Sequence, residues 1–376
     1  MGPSSPATLA ALLLMFGAAV AGMLRFSRWY ARVPLIAATF LTAAACGISA
    51  VNAYYDYYQS WSALAADIGN DNGTAAVPIV VPVATPRPNR YGGTDVNGHL
   101  DAGSWTSVRV QLPGPVSGVT GRSALALLPP GYASLARAGR MLPVLELLHG
   151  DPGHPGTWTN GVQIVDALRR ATSKGDIGPM VVLLPDVHGS IHDQQCLDVH
   201  GGPRLASWLV NDVPRDVQES LAVYPPGKHW LLGGLSEGGF CATDLVLRHP
   251  EVWQGAAVLD GYFHPYLSKT VLRRVYGGSR QASTADDTTD TVKQWPLQSQ
   301  LPVFWLMAGT ANASDYHDAI AFATLLGTRE DPRFVTVIRG RHSAPAWRAA
   351  LPDLLRWAWA TLDGGDLNGS IEVPLH

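Results

Sequence analysis

Two long apolar runs open the chain, at residues 7–24 and 33–55, and neither contains a charged side chain. Each comes close to the roughly 20 residues that a helix needs to cross a bilayer. Between them lies Arg25-Phe26-Ser27-Arg28-Trp29-Tyr30-Ala31-Arg32. Basic loops stay on the cytoplasmic side and Trp and Tyr settle at the interface, so the pattern predicts a helical hairpin with both ends outside. A cleaved signal peptide is a competing reading. It fits less well, because the basic residues follow the first apolar run instead of preceding it. A pair of helices buried in a soluble core is the third reading. Tyr54, Tyr55, Tyr57, Tyr58 and Trp61 read as an aromatic belt at the outer face, or as packing against the next domain.

The pattern then changes twice. Residues 61–90 hold Gly69-Asn70-Asp71-Asn72-Gly73 and a Val/Pro/Ala run ending in Pro86-Arg87-Pro88. Such a segment is extended and semi-rigid, a linker between an anchor at 1–60 and a domain at 91–376. In that domain, residues 104–111 and 123–128 read as strands. The turn-rich stretch 113–118 between them makes an antiparallel start to a sheet. Apolar strands then alternate with helical spacing. Strands are expected at 141–148, 180–184, 229–232, 254–259, 303–307 and 334–338. Helices are expected at 159–172, 205–223, 240–249, 267–275, 313–326 and 346–362, with Pro214 and Pro352 kinking or splitting theirs. This alternation implies an α/β fold, a mostly parallel, doubly wound sheet covered on both faces. In such folds chemistry sits at the carboxyl ends of the strands.

One strand–helix junction there stands out. Gly234-Leu235-Ser236-Glu237-Gly238 lies between the apolar strand and a helix closed by Pro250. A serine in Gly-x-Ser-x-Gly at that junction is the nucleophile-elbow pattern. The turn is tight enough to demand glycine two residues before and two after the serine, and it aims the N–H of Glu237 where an oxyanion would form. A plain glycine-rich turn is the alternative. A serine nucleophile needs a base, and the base needs an acid. His342 follows the last strand and is the base candidate. Asp315, after the strand at 303–307, is the acid candidate, with Asp318 and Asp260 as alternatives; Asp315 would otherwise cap a helix. The second oxyanion donor is expected from the loop His149-Gly150-Asp151, through the N–H of Asp151.

From about Trp105 to Leu362 the chain resembles the esterase family of α/β-hydrolases that holds esterase D-type enzymes and the antigen 85 mycolyltransferases. The resemblance rests on His149-Gly150-Asp151, Gly234-Leu235-Ser236-Glu237-Gly238-Gly239, Leu247-Arg248-His249-Pro250 and His342-Ser343-Ala344-Pro345-Ala346-Trp347. It implies the α/β-hydrolase fold, and acyl transfer from an ester to water or to a sugar hydroxyl. It also implies Asp315 as the acid, counted on from Gly309. Those mycolyltransferases are typically secreted, and the two apolar runs here depart from that. The expectation is a membrane-anchored esterase with its catalytic domain outside, acting on an ester or lipid. An acyltransferase and a non-catalytic binding protein are the alternatives.

Composition changes little. Hydrophobic residues make up 47% and charged residues 15%, which excludes a disordered chain, and a net charge of -3 offers no footprint for nucleic acid. Three cysteines are present. Cys46 lies in the second apolar run, and Cys196 and Cys241 both fall near strand ends. A Cys196–Cys241 disulfide is expected if the domain faces an oxidising compartment, with two buried thiols as the alternative. His149, His154, His188, His192 and His200 gather with Asp186 and Asp193, but in no familiar metal-binding spacing, so neither metal nor cofactor is expected. The polar stretch 277–296 reads as an insertion at the rim of the site. The sequons at Asn72, Asn312 and Asn368 carry no weight.

Overall fold

A computed structural model describes residues 2–3, 5–26, 28–55, 58, 61, 103–188, 194–199, 201–296, 298–327 and 334–363. The expected linker, the boundary at residue 91, the sequons at Asn72 and Asn368, and His192, Asp193 and His200 lie outside the described residues.

The two apolar runs form helices α1 (Pro6–Arg25) and α2 (Trp29–Tyr55), which pack against each other. Ser5 caps α1, its hydroxyl accepting the Thr8 N–H at 3.2 Å. Their apolar side chains stay outside: Leu14 is 75%, Leu24 82% and Phe40 72% exposed. A core helix would bury such a face, so the soluble-core reading does not hold. Both helices are long and apolar enough to cross a membrane, a property that a signal sequence shares.

The sheet has eight strands: β1 (Thr106–Leu112), β2 (Arg122–Leu128), β3 (Val144–Leu148), β4 (Val181–Pro185), β5 (Trp230–Leu235), β6 (Gly255–Leu259), β7 (Val303–Gly309) and β8 (Phe334–Ile338). Their spatial order is β1-β2-β4-β3-β5-β6-β7-β8. β1 pairs antiparallel with β2 and β2 with β4; every later pairing is parallel. The order reverses between β3 and β4, and β5 runs beside β3.

The remaining helices are α3 (Tyr132–Arg137), α4 (Ile164–Lys174), α5 (Val213–Ser220), α6 (Glu237–Arg248), α7 (Lys269–Arg274), α8 (Thr288–Gln294), α9 (Ala313–Gly327) and α10 (Ala344–Leu362). Strand periodicity decides which face each residue serves. Val144, Leu148, Leu232, Val258 and Leu306 pack with α6 and α9 on one side. Leu145, Leu147, Leu231, Leu259 and Met307 pack with α4 and α10 on the other.

Two local expectations gain detail. The helix expected at 205–223 is broken before Pro214, because a π-turn at Trp208–Asp212 separates the turn Leu205–Ser207 from α5, which Pro214 opens. Pro352 lies inside α10 without ending it, and the burial of Leu351, Leu354 and Leu355 accounts for the helix continuing. The polar stretch 277–296 holds a 3₁₀ turn at Ala282–Asp286 and then α8, capped by Asp287.

Glu146 sits fully buried in the middle of β3, its Oε2 accepting Trp253 Nε1–H at 3.1 Å. Burial pushes its carboxyl up to about 8 from 4.5. The native state therefore holds a proton between those values that the unfolded chain has lost. Stability is full at low pH and falls as pH rises through 8, by an upper bound on the order of 5 kcal/mol. Asp244, pushed up by burial to about 7, adds in the same direction. Glu146→Gln is expected to flatten this slope, as read from denaturant unfolding at pH 6 and pH 9.

Candidate active site

β5 delivers Ser236 and α6 begins at the next residue. Ser236 has φ 56° and ψ -121°, a conformation that costs a non-glycine residue about 1–3 kcal/mol and persists only where the surroundings enforce it. The flanking glycines explain how they do. A Cβ at Gly234 would meet the Gly238 carbonyl oxygen at 2.1 Å, and one at Gly238 would lie 2.6 Å from the carbonyl oxygens of Leu148 and His149. The elbow therefore folds tightly on itself and lies against the end of β3. Gly150 completes the approach: a Cβ there would stand 3.0 Å from that of Ser236. The loop named as the second oxyanion donor thus runs directly beside the serine. Glu237 opens α6, so its N–H belongs to the first helical turn, where no intrahelical acceptor exists.

His342 follows β8, and Asp315 lies in the first turn of α9. Their side chains meet, His342 Nδ1–H donating to Asp315 Oδ2 at 2.8 Å. Asn312 Nδ2–H donates to the same oxygen at 2.5 Å, and Ser314 Oγ–H reaches Oδ1 at 3.3 Å. These bonds hold the carboxylate while it holds the ring. Both side chains are accessible, at 17% and 21%. Nδ1 being engaged, the ring offers Nε2 to a reacting partner.

Asp260, the third acid candidate, directly follows β6 with φ 45° and is 2% exposed. Its Oδ1 accepts the Gly309 N–H at 2.7 Å and its Oδ2 accepts Trp347 Nε1–H at 2.8 Å. Its carboxylate, that of Asp315 and a ring nitrogen of His342 all lie within 4.8 Å of one another. Burial raises its pKa, opposed first by the Gly309 N–H and then by His342. Trp347 stands edge-on to His342, ring centres 5.1 Å apart. No contact joins Asp318 to His342 among the described contacts.

A second titratable group surrounds the oxyanion loop. His149 Nε2 accepts the Val187 N–H at 3.2 Å, so its Nδ1 carries the proton and donates to the Gly150 carbonyl at 2.9 Å. Asp186 Oδ1 lies 3.7 Å from the same Nε2. The His188 ring packs 4.9 Å from that of His149. His188 Nε2 stands 3.4 Å from Glu237 Oε1 and 4.0 Å from Asp151 Oδ1. By distance alone Asp151, His188 and Glu237 could hold a cation. The same three side chains set an imidazole between two carboxylates. Sequence reasoning chose Asp151 and Glu237 for their N–H groups and overlooked these side chains. A glutamate directly after the elbow serine was the available signal. His154 is engaged locally, its Nδ1 accepting the Gly156 N–H at 3.1 Å.

Cys196 and Cys241 form a disulfide, which fastens the segment 194–199 to the first turns of α6. Gln195 extends this rim: its Oε1 accepts the Tyr266 N–H at 2.7 Å and its Nε2–H donates to the Tyr266 carbonyl at 2.9 Å. The bond closes a sequence separation of 45. Cys196→Ser is expected to lower stability by about 4 kcal/mol on the chain-entropy model, as read from denaturant unfolding beside the wild type.

A protein-family model described as Putative esterase matches residues 121–358. An uncharacterized protein of Corynebacterium glutamicum is 28% identical over 264 residues, 66% of this chain and 61% of that protein. The chain thus spans under two thirds of that relative's length. Among solved structures, a ferulic acid esterase matches with a TM-score of 0.58 at 17% identity, over 69% of this chain and 99% of its own. An S-formylglutathione hydrolase from Agrobacterium tumefaciens matches at 0.54 and 18% identity, over 69% and 97%. A fluorophosphonate-binding serine hydrolase of Staphylococcus aureus matches at 0.55 and 16% identity, over 68% and 99%. At such identities the likeness is one of fold, and the fold is that of the α/β-hydrolases.

Proposed function

The chain belongs to the Putative esterase family, and from that membership we propose that it is a membrane-anchored serine esterase. Ser236 attacks the acyl carbonyl and His342 Nε2 takes its proton. Asp315 holds the ring at Nδ1 and stabilises the imidazolium. The N–H groups of Asp151 and Glu237 receive the oxyanion. The alcohol leaves with the proton from His342, and water repeats the sequence to release the acid. The bond from His342 Nδ1 to Asp315 at 2.8 Å carries this reading, since it fixes the ring of a base through Nδ1 and leaves Nε2 to serve a strained, half-buried serine.

The anchor reading rests on α1 and α2, whose apolar side chains stay largely exposed among the described residues. Arg25, Arg28 and Arg32, at and beside the junction of α1 and α2, support a cytoplasmic turn and a catalytic domain outside. The disulfide suits an oxidising compartment. A site tethered at a membrane face favours lipid or envelope esters. Transfer to a sugar hydroxyl would use the same residues, and product analysis with a sugar acceptor separates it from hydrolysis.

The test is fluorophosphonate labelling of the detergent-solubilised full chain, with p-nitrophenyl ester turnover alongside. Labelling that esters compete away is expected. A protein that neither labels nor turns over short-chain and long-chain esters would sink the reading.

A further inference from the structure

We propose that His188 is a positioning residue for the oxyanion hole, clamping its two donor residues through their side chains. The inference rests on the esterase reading, and it concerns a residue outside the triad.

The two oxyanion donors come from separate strand ends, Asp151 after β3 and Glu237 after β5. An oxyanion hole works only when its donors are held within about 0.5 Å of their working positions. The β3–β5 ladder holds the strand ends together as far as Leu148 and Gly234, and both donors lie beyond it. His188, from the loop after β4, is placed to hold one relative to the other. Its Nε2 faces Glu237 Oε1 at 3.4 Å and Asp151 Oδ1 at 4.0 Å. The His188 and Glu237 side chains are 2% and 8% exposed, and that of Asp151 is 18% exposed. A contact so far removed from water keeps its geometry.

The clamp also has an electrostatic side. Two carboxylates on the donor residues would oppose an oxyanion forming beside them. The imidazole of His188 lies between them, its Nε2 3.4 Å from one and 4.0 Å from the other. The titratable groups around it are Asp151, Glu237 and the ring of His149, with Asp186 behind His149. Both nitrogens of the His149 ring are engaged, by the Val187 N–H and the Gly150 carbonyl, so His188 is the ring that faces the two carboxylates. No part of the mechanism otherwise uses His188 or the Glu237 carboxylate.

The test measures p-nitrophenyl butyrate kinetics and thermal unfolding for the full chain and for His188→Ala, His188→Gln, Glu237→Ala and the double His188→Ala/Glu237→Ala. A donor displaced by about 1 Å costs on the order of 100-fold in rate. His188→Ala is therefore expected to lose about 10–100-fold in kcat with KM within about twofold. His188→Gln, which keeps a donor for the carboxylates, recovers part of that loss. The double variant falls no further than the worse single, as coupled residues do. If His188→Ala does not fold, His188→Gln against Glu237→Ala reads the same coupling. Unchanged kcat in the His188 variants of an active enzyme would overturn the clamp alone. Additive losses that track the melting temperature would do the same, reducing His188 to a packing residue. A wild type inactive on every ester would overturn the esterase reading, and the clamp with it.

Discussion

Ser236→Ala is expected to lower ester turnover by about 10⁶-fold and to abolish fluorophosphonate labelling, with the melting temperature nearly unchanged. The size follows from the chemistry. Without the hydroxyl no acyl-enzyme forms, and His342 and Asp315 lose the proton they exist to move. Water activated in place of the serine, aided by the oxyanion donors, leaves a residual rate about 10³-fold above the uncatalysed one. The unchanged stability follows from the elbow. Alanine has the same Cβ as serine, so the space beside Gly150 stays filled as before. The strain at φ 56° is common to both residues. Loss of activity together with loss of stability would mean that the serine is structural. Retained turnover would mean that another group is the nucleophile.

The elbow was legible because its demands are local. Two glycines, a serine, an apolar strand before and a helix after all lie within twenty residues, and each is required by one tight turn. The parallel sheet was legible for the same reason, from short apolar strands alternating with amphipathic helices. His342 and Asp315 took more, since only the order of strand ends in an α/β sheet says that residues 27 apart should meet. What the sequence did not reveal depends on contacts between loops. His188, Asp151 and Glu237 come from three separate strand ends, and no spacing announces that their side chains converge. Asp260 was named as a possible acid, but its two donors, Gly309 and Trp347, belong to other elements and could not be read in advance. Pro352 does not split α10, because the usual cost of an internal proline is offset here by the apolar face on which the helix lies.

The acid is where the next-largest effect is expected. Asp315→Asn should lower kcat by about 10⁴-fold, because an amide in that position lets the ring take the wrong tautomer and no longer stabilises the imidazolium. Asp260→Asn should cost far less, about tenfold. Its carboxylate is already committed to the Gly309 N–H and the Trp347 indole, so it acts on His342 through charge and not through a bond. Asn312 and Ser314, by contrast, bond to Asp315 and leave it free to accept from the ring. The two variants discriminate between the carboxylates because they differ in burial. Asp260 lies in the interior, where Asn leaves one of two buried donors unsatisfied, so its variant should also melt earlier. Asp315 is partly exposed, so its variant should keep the wild-type melting temperature. Were the ranking reversed, with Asp260→Asn losing 10⁴-fold and Asp315→Asn nearly active, the acid would be the residue that follows β6. Asp315 would then be a first-turn residue of α9 that merely touches the histidine.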